Sequence, residues 1–202
     1  MFKELRPAIV LLACFTLLTG VAYPLLTTAS ARLAFPRQAA GSLIARDGVV
    51  VGSELIGQPF DDPRYFWGRP SSTGPAAYNA SASGASNLGP SNAALAQAVS
   101  ARARSLREAD PDNHAPIPID LVTSSGSGLD PHISPAAALW QVSRVARARG
   151  LPEDQVRSLV LSRVQPRTLG ILGEVRVNVL ELNLALDSIL SSGGSMVKLD
   201  HE

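Results

Sequence analysis

The chain has 202 residues, of which 46% are hydrophobic and 17% are charged, and its formal net charge at pH 7 is +1. This balance excludes the strong positive field typical of nucleic-acid binding, so we expect no nucleic-acid partner. The length suits one ordinary domain with an accessory segment.

The first 31 residues contain an apolar segment long enough to cross a bilayer. Charged residues are absent from Pro7 to Ala31, and a membrane-spanning helix needs about 20 apolar residues. A cleavable signal peptide is the alternative, because Ala29-Ser30-Ala31 fits the small-residue cleavage pattern. The segment exceeds the apolar core of about 7–15 residues that signal peptides carry. We therefore predict an uncleaved transmembrane anchor within residues 1–31, with Pro24 kinking its last turn.

The charges that flank this anchor are nearly balanced and give little information about its orientation. Lys3 and Arg6 precede the apolar segment, and Arg32 and Arg37 follow it. The single cysteine, Cys14, lies inside the segment, so the rest of the chain suits an oxidising compartment. A short N-terminus before a long domain is typical of a signal anchor. We predict a single-pass protein whose soluble domain is extracytoplasmic.

A connector at residues 32–40 leads into a predicted β-hairpin. The segment GSLIARDGVVVGSELIG alternates apolar and polar residues around Asp47-Gly48, which favours strands at 42–45 and 49–53. Residues 58–92 are rich in Pro, Gly, Ser and Asn. Because Tyr65-Phe66-Trp67 lies inside this region and needs burial or a partner, we predict an ordered, irregular excursion.

Four helices and two further strands are predicted in the remainder. The first helix is capped by Ser91 or Asn92, and the others begin near Ser134, Pro152 and Asn178. The strands are 116–123 and 175–177. Gly150 is predicted to end the second helix, and residues 191–202 are predicted to form a flexible tail. The fold class is α+β: a single N-terminal transmembrane helix followed by one compact soluble domain, residues 41–190, with a small sheet and about four helices.

The stretch LVTSSGSGLDPHISP, residues 121–135, has the composition of a phosphate-binding loop but lacks its motifs. A P-loop requires a lysine, and none occurs between Lys3 and Lys198. A dinucleotide fingerprint requires a third glycine, and Pro131 stands in its place. The stretch therefore does not predict a self-sufficient nucleotide site.

The same stretch offers a serine nucleophile with a histidine as an alternative. Ser125 or Ser127 could pair with His132, although the G-x-S-x-G motif of the nucleophile elbow is absent. His114 lies among prolines and His201 lies in the tail. A hydroxyl-rich turn before a capped helix is the favoured interpretation, and no His/Cys cluster has the spacing of a metal site.

Two groups of side chains could form a contact surface. Arg144, Arg147 and Arg149 could bind phosphates or acidic groups, but a solvated helix face is the favoured interpretation. Aromatic residues 65–67 suit core packing and interfaces equally. A membrane-anchored, extracytoplasmic binding module with this aromatic surface is therefore a second hypothesis for the whole protein.

Several motifs follow one another in a characteristic order and spacing. They include the N-terminal RPAIVLL and LLTGVAYPLL, followed by GSLI, LIGQ, YFWGRPS, SGASNLGPSN, LVTSSGSGLDPHISP, WQVSRVARARGL and VNVLELNLALD. In these motifs the chain resembles the KdpC family, the C subunits of Kdp potassium-transporting ATPases. Each motif is weak alone. Together they cover about residues 4–190.

This resemblance implies a non-catalytic subunit of an ATP-driven potassium-uptake complex in the bacterial inner membrane. Its expected partners are a potassium-channel-like subunit, a P-type ATPase subunit and a small membrane subunit. The family is described as a catalytic chaperone that raises the ATP affinity of the ATPase subunit. ATP is thus the expected cofactor, shared indirectly or transiently, and no metal is expected in this chain. Gln155 in GLPEDQ is the loose match to a glutamine proposed to contact nucleotide.

Overall fold

A computed structural model describes residues 3–193, and it divides the chain into two compact units at Ser53 and Glu54. The mixed α+β fold class is confirmed, with one apolar N-terminal helix and several helices packed with small sheets. Of the predicted flexible tail, residues 191–193 belong to the last helix and residues 194–202 lie outside the described part.

The first unit contains a helix from Leu5 to Ala34 that is long and apolar enough to span a membrane. It consists of α1 (Leu5–Leu17), a π-helical turn (Leu18–Ala22) and α2 (Tyr23–Ala34). The helix continues well past Pro24, so this proline lies inside it and not in its last turn. A proline lacks an N–H group and clashes with the carbonyl four residues earlier. The π turn immediately before α2 changes the hydrogen-bond spacing at this point.

Threonine hydroxyls within this helix bond back to the helix itself. Thr19 Oγ1 donates to the Phe15 carbonyl at 2.7 Å, and Thr27 Oγ1 donates to the Tyr23 carbonyl at 2.9 Å. Since a bilayer core offers no water to polar groups, such internal bonds reduce the cost of placing threonines there.

A short helix and a hairpin complete the first unit. Helix α3 (Pro36–Ala39) precedes β1 (Leu43–Arg46) and β2 (Val49–Ser53), which pair antiparallel with Arg46 opposite Val49. Asp47 and Gly48 both have positive φ, at 52° and 78°. This is the backbone that a two-residue hairpin turn needs, so the predicted hairpin is confirmed.

The second unit begins with the irregular excursion and then forms α4 (Ala93–Ala109). The side chain of Asn92, one of the two caps that the sequence offered, accepts a hydrogen bond from Ala94 N at 2.9 Å. Residues 116–123 were expected to form a strand, and that prediction is wrong, because a 3₁₀ turn occupies Ile119–Leu121. Pro116 and Pro118 lack the N–H groups that a strand would contribute to a sheet.

The rest of the second unit places four helices around a three-stranded antiparallel sheet, which has the order β3-β5-β4. In chain order the elements are β3 (His132–Ile133), α5 (Pro135–Trp140), α6 (Val142–Arg149), α7 (Glu153–Ser162), β4 (Val164–Gln165), β5 (Arg176–Asn178) and α8 (Val179–Gly193). The predicted helix from Ser134 to Gly150 is thus divided at Gln141. Gly150 ends α6 in the left-handed conformation, at φ 65°, as predicted.

The core of the second unit is formed by buried side chains from the excursion, the helices and the three-stranded sheet. These include Phe66, Leu106, Leu121, Val142, Val145, Val156, Val160, Val177, Leu182 and Leu186. The excursion therefore contributes to the core directly, which confirms that it is ordered. Burial of these apolar groups is the main term that stabilises the arrangement.

Candidate functional site

The hydroxyl groups of residues 121–135 stabilise turns of their own backbone. Ser125 Oγ accepts a hydrogen bond from Gly128 N at 2.9 Å, and Ser127 Oγ accepts one from Leu129 N at 3.1 Å. Ser134 caps α5 by accepting from Ala137 N at 3.1 Å. The interpretation as a hydroxyl-rich turn before a capped helix is therefore confirmed.

The proposed Ser–His pair is not assembled. His132 Nδ1 lies 3.1 Å from Asp130 Oδ1, which also accepts the His132 backbone N–H at 3.0 Å. Within residues 3–193, no hydrogen bond joins His132 to Ser125 or Ser127. A nucleophile and its base must lie within hydrogen-bond reach, so this arrangement does not support the serine hydrolase alternative.

An open cleft of about 490 Å³ lies beside this stretch, and its charged groups largely neutralise one another. Asp130 Oδ2 lies 3.5 Å from Arg69 Nη1, and Asp120 Oδ2 accepts the Ser134 N–H at 2.6 Å. Burial raises the pKa of Asp130, but hydrogen bonds from His132 and the charge of Arg69 outweigh it, so that pKa lies below its ordinary value. The cleft thus presents compensated charges and no cluster of donors for a polyphosphate.

The irregular excursion packs against the same stretch and is hydrogen-bonded to it. Several hydrogen bonds from residues 57–84 reach its carbonyl groups. They include Gly57 N to Leu129 O at 2.8 Å, Ser71 Oγ to Gly128 O at 2.7 Å, and Gly84 N to Ser127 O at 2.9 Å. Gly128 has φ 68°, and a Cβ there would lie 2.7 Å from Thr73 Cγ2 and 2.8 Å from the Gly84 carbonyl. Only glycine fits this position without displacement of its neighbours.

Two buried amides hold the aromatic part of the excursion against the helices. Asn183 of α8 accepts from Phe66 N at 2.9 Å and donates to the Phe66 carbonyl at 3.0 Å. Gln141 accepts from Trp67 N at 2.8 Å and donates to the Trp67 carbonyl at 3.1 Å. The backbone N–H and C=O groups of Phe66 and Trp67 are thereby hydrogen-bonded, although this segment joins no sheet.

Arginines of α6 close over the same aromatic side chains. The Arg144 guanidinium lies 4.1 Å from the centroid of Trp67, and that of Arg149 lies 4.5 Å from Tyr65. Arg149 Nη1 also lies 2.8 Å from Asp187 Oδ1. Arg144 is only 3% exposed, so the expected solvated arginine face is wrong for this residue. Charged groups are buried at such sites only when they are hydrogen-bonded or paired.

This packing decides between the two interpretations of the aromatic residues. Phe66 is fully buried and Trp67 is 7% exposed, so both belong to the core. The binding-module hypothesis placed its contact surface on these residues. The structure overturns that surface, because the side chains are already covered by α6 and α8.

Gln155 lies exposed in the first turn of α7, where its backbone N–H bonds to the Pro152 carbonyl at 3.1 Å. These contacts involve the backbone alone, so a nucleotide contact by the Gln155 side chain stays a prediction. In the part of the chain that the structure describes, no group of three or more His, Cys, Asp or Glu side chains could hold a metal ion.

The residues that organise this region were not singled out from the sequence. Gln141 and Asn183 each interrupt an apolar helix face, in AALWQV and LELNLAL. A polar amide at a position that the helical period assigns to the core is a signal for a buried hydrogen bond. That signal identifies the position but not the partner 74 or 117 residues away.

Comparison with known proteins identifies a family and relatives with similar sequences. The sequence model of the family KdpC, described as the K⁺-transporting ATPase c chain, matches residues 5–188. A potassium-transporting ATPase KdpC subunit of Sorangium cellulosum is 66% identical over 93% of this chain and 98% of its own length. The KdpC subunit of Polaromonas naphthalenivorans is 65% identical over 92% and 94%. That of Methylococcus capsulatus is 61% identical over 94% and 100%.

Proposed function

Because the chain belongs to the KdpC family of K⁺-transporting ATPase c chains, we propose that it is a non-catalytic subunit of an ATP-driven potassium-uptake complex. The family match, which runs from the membrane helix through most of α8, is the observation that carries this proposal. The relatives are named as subunits, and they align with this chain over almost their full lengths.

The partners that follow from this proposal are those of the Kdp complex. They are a potassium-channel-like subunit, a P-type ATPase subunit that hydrolyses ATP, and a small membrane subunit. In this chain, the hydroxyls of Ser125 and Ser127 and the imidazole of His132 are committed to internal hydrogen bonds. This use of polar side chains supports a role in holding a shape that partners recognise.

The proposed location is the bacterial inner membrane, with the Leu5–Ala34 helix as a single anchor and the second unit outside the cytoplasm. The only cysteine lies within the helix, at Cys14, so the second unit carries no thiol that an oxidising compartment would modify. This placement keeps the second unit away from cytoplasmic ATP.

We propose that the effect on ATP affinity is therefore indirect. A subunit that binds one conformational state of the ATPase subunit better than another changes its ATP affinity by linkage, without touching the nucleotide. The packed helices of the complex would transmit that bias across the membrane. A direct contact by Gln155 requires the opposite topology, so the two proposals exclude each other.

The deciding experiment removes this chain from an otherwise complete complex. In a strain without other potassium-uptake systems, a tag on the ATPase subunit should recover less channel-like subunit when this chain is absent. Growth at low external potassium should fail. In whatever ATPase remains, KM for ATP should rise about 5- to 150-fold, the range of typical coupling energies.

Restoring the intact gene is the positive control, and a Gly126→Ala variant is a matched one. A Cβ at Gly126 meets nothing within 4 Å, so this variant should behave as the unaltered chain. An assembled complex with unchanged potassium uptake after deletion would contradict the proposed function.

A further inference from the structure

An exposed apolar turn, defined here as residues 168–175, projects from the connection between β4 and β5. Leu169 is 85% exposed, Ile171 75% and Leu172 56%. Among the described residues of the second unit, seven large hydrophobic residues are exposed, and four of them lie within this turn (Leu55, Ile119, Leu161, Leu169, Ile171, Leu172 and Val175). Such a concentration of apolar groups in eight residues indicates a contact surface.

The turn is held in shape by its own backbone and by an ion pair. Thr168 and Leu172 exchange two backbone hydrogen bonds of 2.9 Å. Leu169 and Gly170 both have positive φ, at 55° and 78°. Arg167 Nη2 lies 2.6 Å from Glu174 Oε2 across the base of the turn. These constraints keep the apolar side chains pointing away from the core, so their exposure is a property of the fold.

Arginines flank the turn on both sides in the sequence. Arg163 and Arg167 precede it, Arg176 follows it, and Glu174 is the single acid between them. Arg176 lies opposite Gln165 in the β4–β5 ladder, and its Nη1 would lie 3.9 Å from a Cβ at Gly173. The whole chain has a net charge of only +1, so this excess of two positive charges in residues 163–176 is local.

We propose that the apolar turn inserts into an anionic lipid surface, with the flanking arginines on the headgroups. Apolar side chains that enter the headgroup boundary and basic groups that bind anionic lipid act together in interfacial binding. The net positive charge of residues 163–176 matches the negative headgroups of anionic lipids. The same chain also carries the Leu5–Ala34 helix, which is long and apolar enough to span a bilayer.

Because the second unit is tethered to the membrane, insertion of a few side chains is sufficient to hold it at the lipid surface. A domain joined to its own membrane anchor meets the lipid surface as an intramolecular partner, at an effective concentration far above that of a free protein. A few apolar residues and arginines, which would bind weakly from solution, therefore hold the second unit against the bilayer. The inference requires only that the N-terminal helix spans a membrane and is independent of the potassium complex.

The test places an environment-sensitive dye on the turn of the full-length chain. A Cys14→Ser, Ile171→Cys variant is labelled and reconstituted in vesicles of phosphatidylcholine, with or without one-third phosphatidylglycerol. A dye at Gln97→Cys, on the exposed face of α4, is the matched control. Brominated acyl chains should quench the dye at position 171 and not at position 97, and more strongly in the anionic vesicles.

Arg163→Gln with Arg176→Gln should lower the equilibrium constant for insertion by about 30-fold, since each arginine near an anionic surface contributes about a factor of five. Equal exposure of the dyes at positions 171 and 97 to water in both vesicle types would overturn the proposal. So would a dye at position 171 that becomes protected only in the assembled complex and without lipid quenching. That result would assign the turn to a protein partner.

Discussion

Arg144 joins two segments of the second unit that are distant in sequence. Its guanidinium donates to the Pro63 carbonyl at 2.6 Å, to the Tyr65 carbonyl at 3.1 Å and to Gln141 Oε1 at 2.7 Å. Burial lowers the pKa of Arg144 to about 10, so the side chain still carries its charge at neutral pH. A planar cation with several donors suits this position, because it satisfies carbonyls and covers the Trp67 ring at once.

Replacing Arg144 with Met should lower the free energy of unfolding by about 2–4 kcal/mol, because the carbonyls of Pro63 and Tyr65 and the buried Oε1 of Gln141 each lose a donor while the apolar volume is roughly kept. Urea titration of the full chain in detergent, followed by tryptophan fluorescence, measures this. Arg104→Met, at an exposed position of α4, is the control and should change stability by less than about 0.5 kcal/mol. Equal effects of the two substitutions would contradict the role given to Arg144.

Asp130 should make the stability of the second unit depend on pH. Its pKa is lower in the folded state than its ordinary value, so its contribution is present above about pH 4 and is lost as pH falls through the folded pKa. Asp130→Asn should therefore lose less stability than the unaltered chain between about pH 6 and about pH 3. Urea titrations at both values test this, with Glu108→Gln as an exposed-acid control. An unchanged pH dependence in Asp130→Asn would refute it.

The polar residues of the core show what sequence reasoning could not supply at this scale. Gln141 and Asn183 occupy helix positions whose period assigns them to the core, which the sequence alone displays. Their partners, the backbone groups of Trp67 and Phe66, lie in a segment without periodicity. These amide side chains bond to the distant segment in the place of a neighbouring strand. Tertiary packing determines such a contact, and no local sequence pattern predicts it.

The 121–135 stretch and the excursion are two elements that depend on each other. The excursion donates hydrogen bonds to several carbonyls of this stretch, and Gly128 allows the close approach of the two segments. The sequence correctly indicated a turn before a capped helix and an ordered excursion. It did not indicate that one supports the other, because neither segment has a pattern that predicts pairing.

Gly128→Ala should lower the free energy of unfolding by about 2–4 kcal/mol, since a Cβ at φ 68° is strained and would also displace Thr73 and Gly84. Gly126→Ala, two residues away, introduces the same methyl group where nothing lies within 4 Å. Its effect should stay within about 0.5 kcal/mol. If both variants unfold at the same urea concentration, the excursion is not seated on Gly128.

Elements with local signals were predicted well, and those set by packing were not. The Asp47-Gly48 turn, the Asn92 cap and the Gly150 terminator each act within a few residues, and the structure contains all three. The division of one predicted helix at Gln141 was not predicted. There the side chain bonds to Trp67 across the core, which no feature of the helix sequence requires.

At the scale of the whole molecule, the side of the membrane that holds the second unit determines how the protein acts. We predict an extracytoplasmic position, which a cysteine at an exposed position can test. A Cys14→Ser, Ser158→Cys variant places one thiol on the exposed face of α7. A membrane-impermeant maleimide should label it in intact cells as fully as in lysed cells, and the Cys14→Ser chain without the new thiol should stay unlabelled.

Labelling in intact cells would show that the second unit lies across the membrane from cytoplasmic ATP. Gln155 could then make no direct contact with the nucleotide. In that case Gln155→Ala should leave KM for ATP of the purified complex unchanged, whereas loss of the whole chain should raise it. Protection until lysis would place α7 on the side of the nucleotide and contradict the indirect mechanism. Gln155→Ala should then raise KM for ATP about tenfold, the effect of losing one hydrogen bond to a charged group. Each topology thus predicts one kinetic result, and the pair of measurements distinguishes direct contact from coupling.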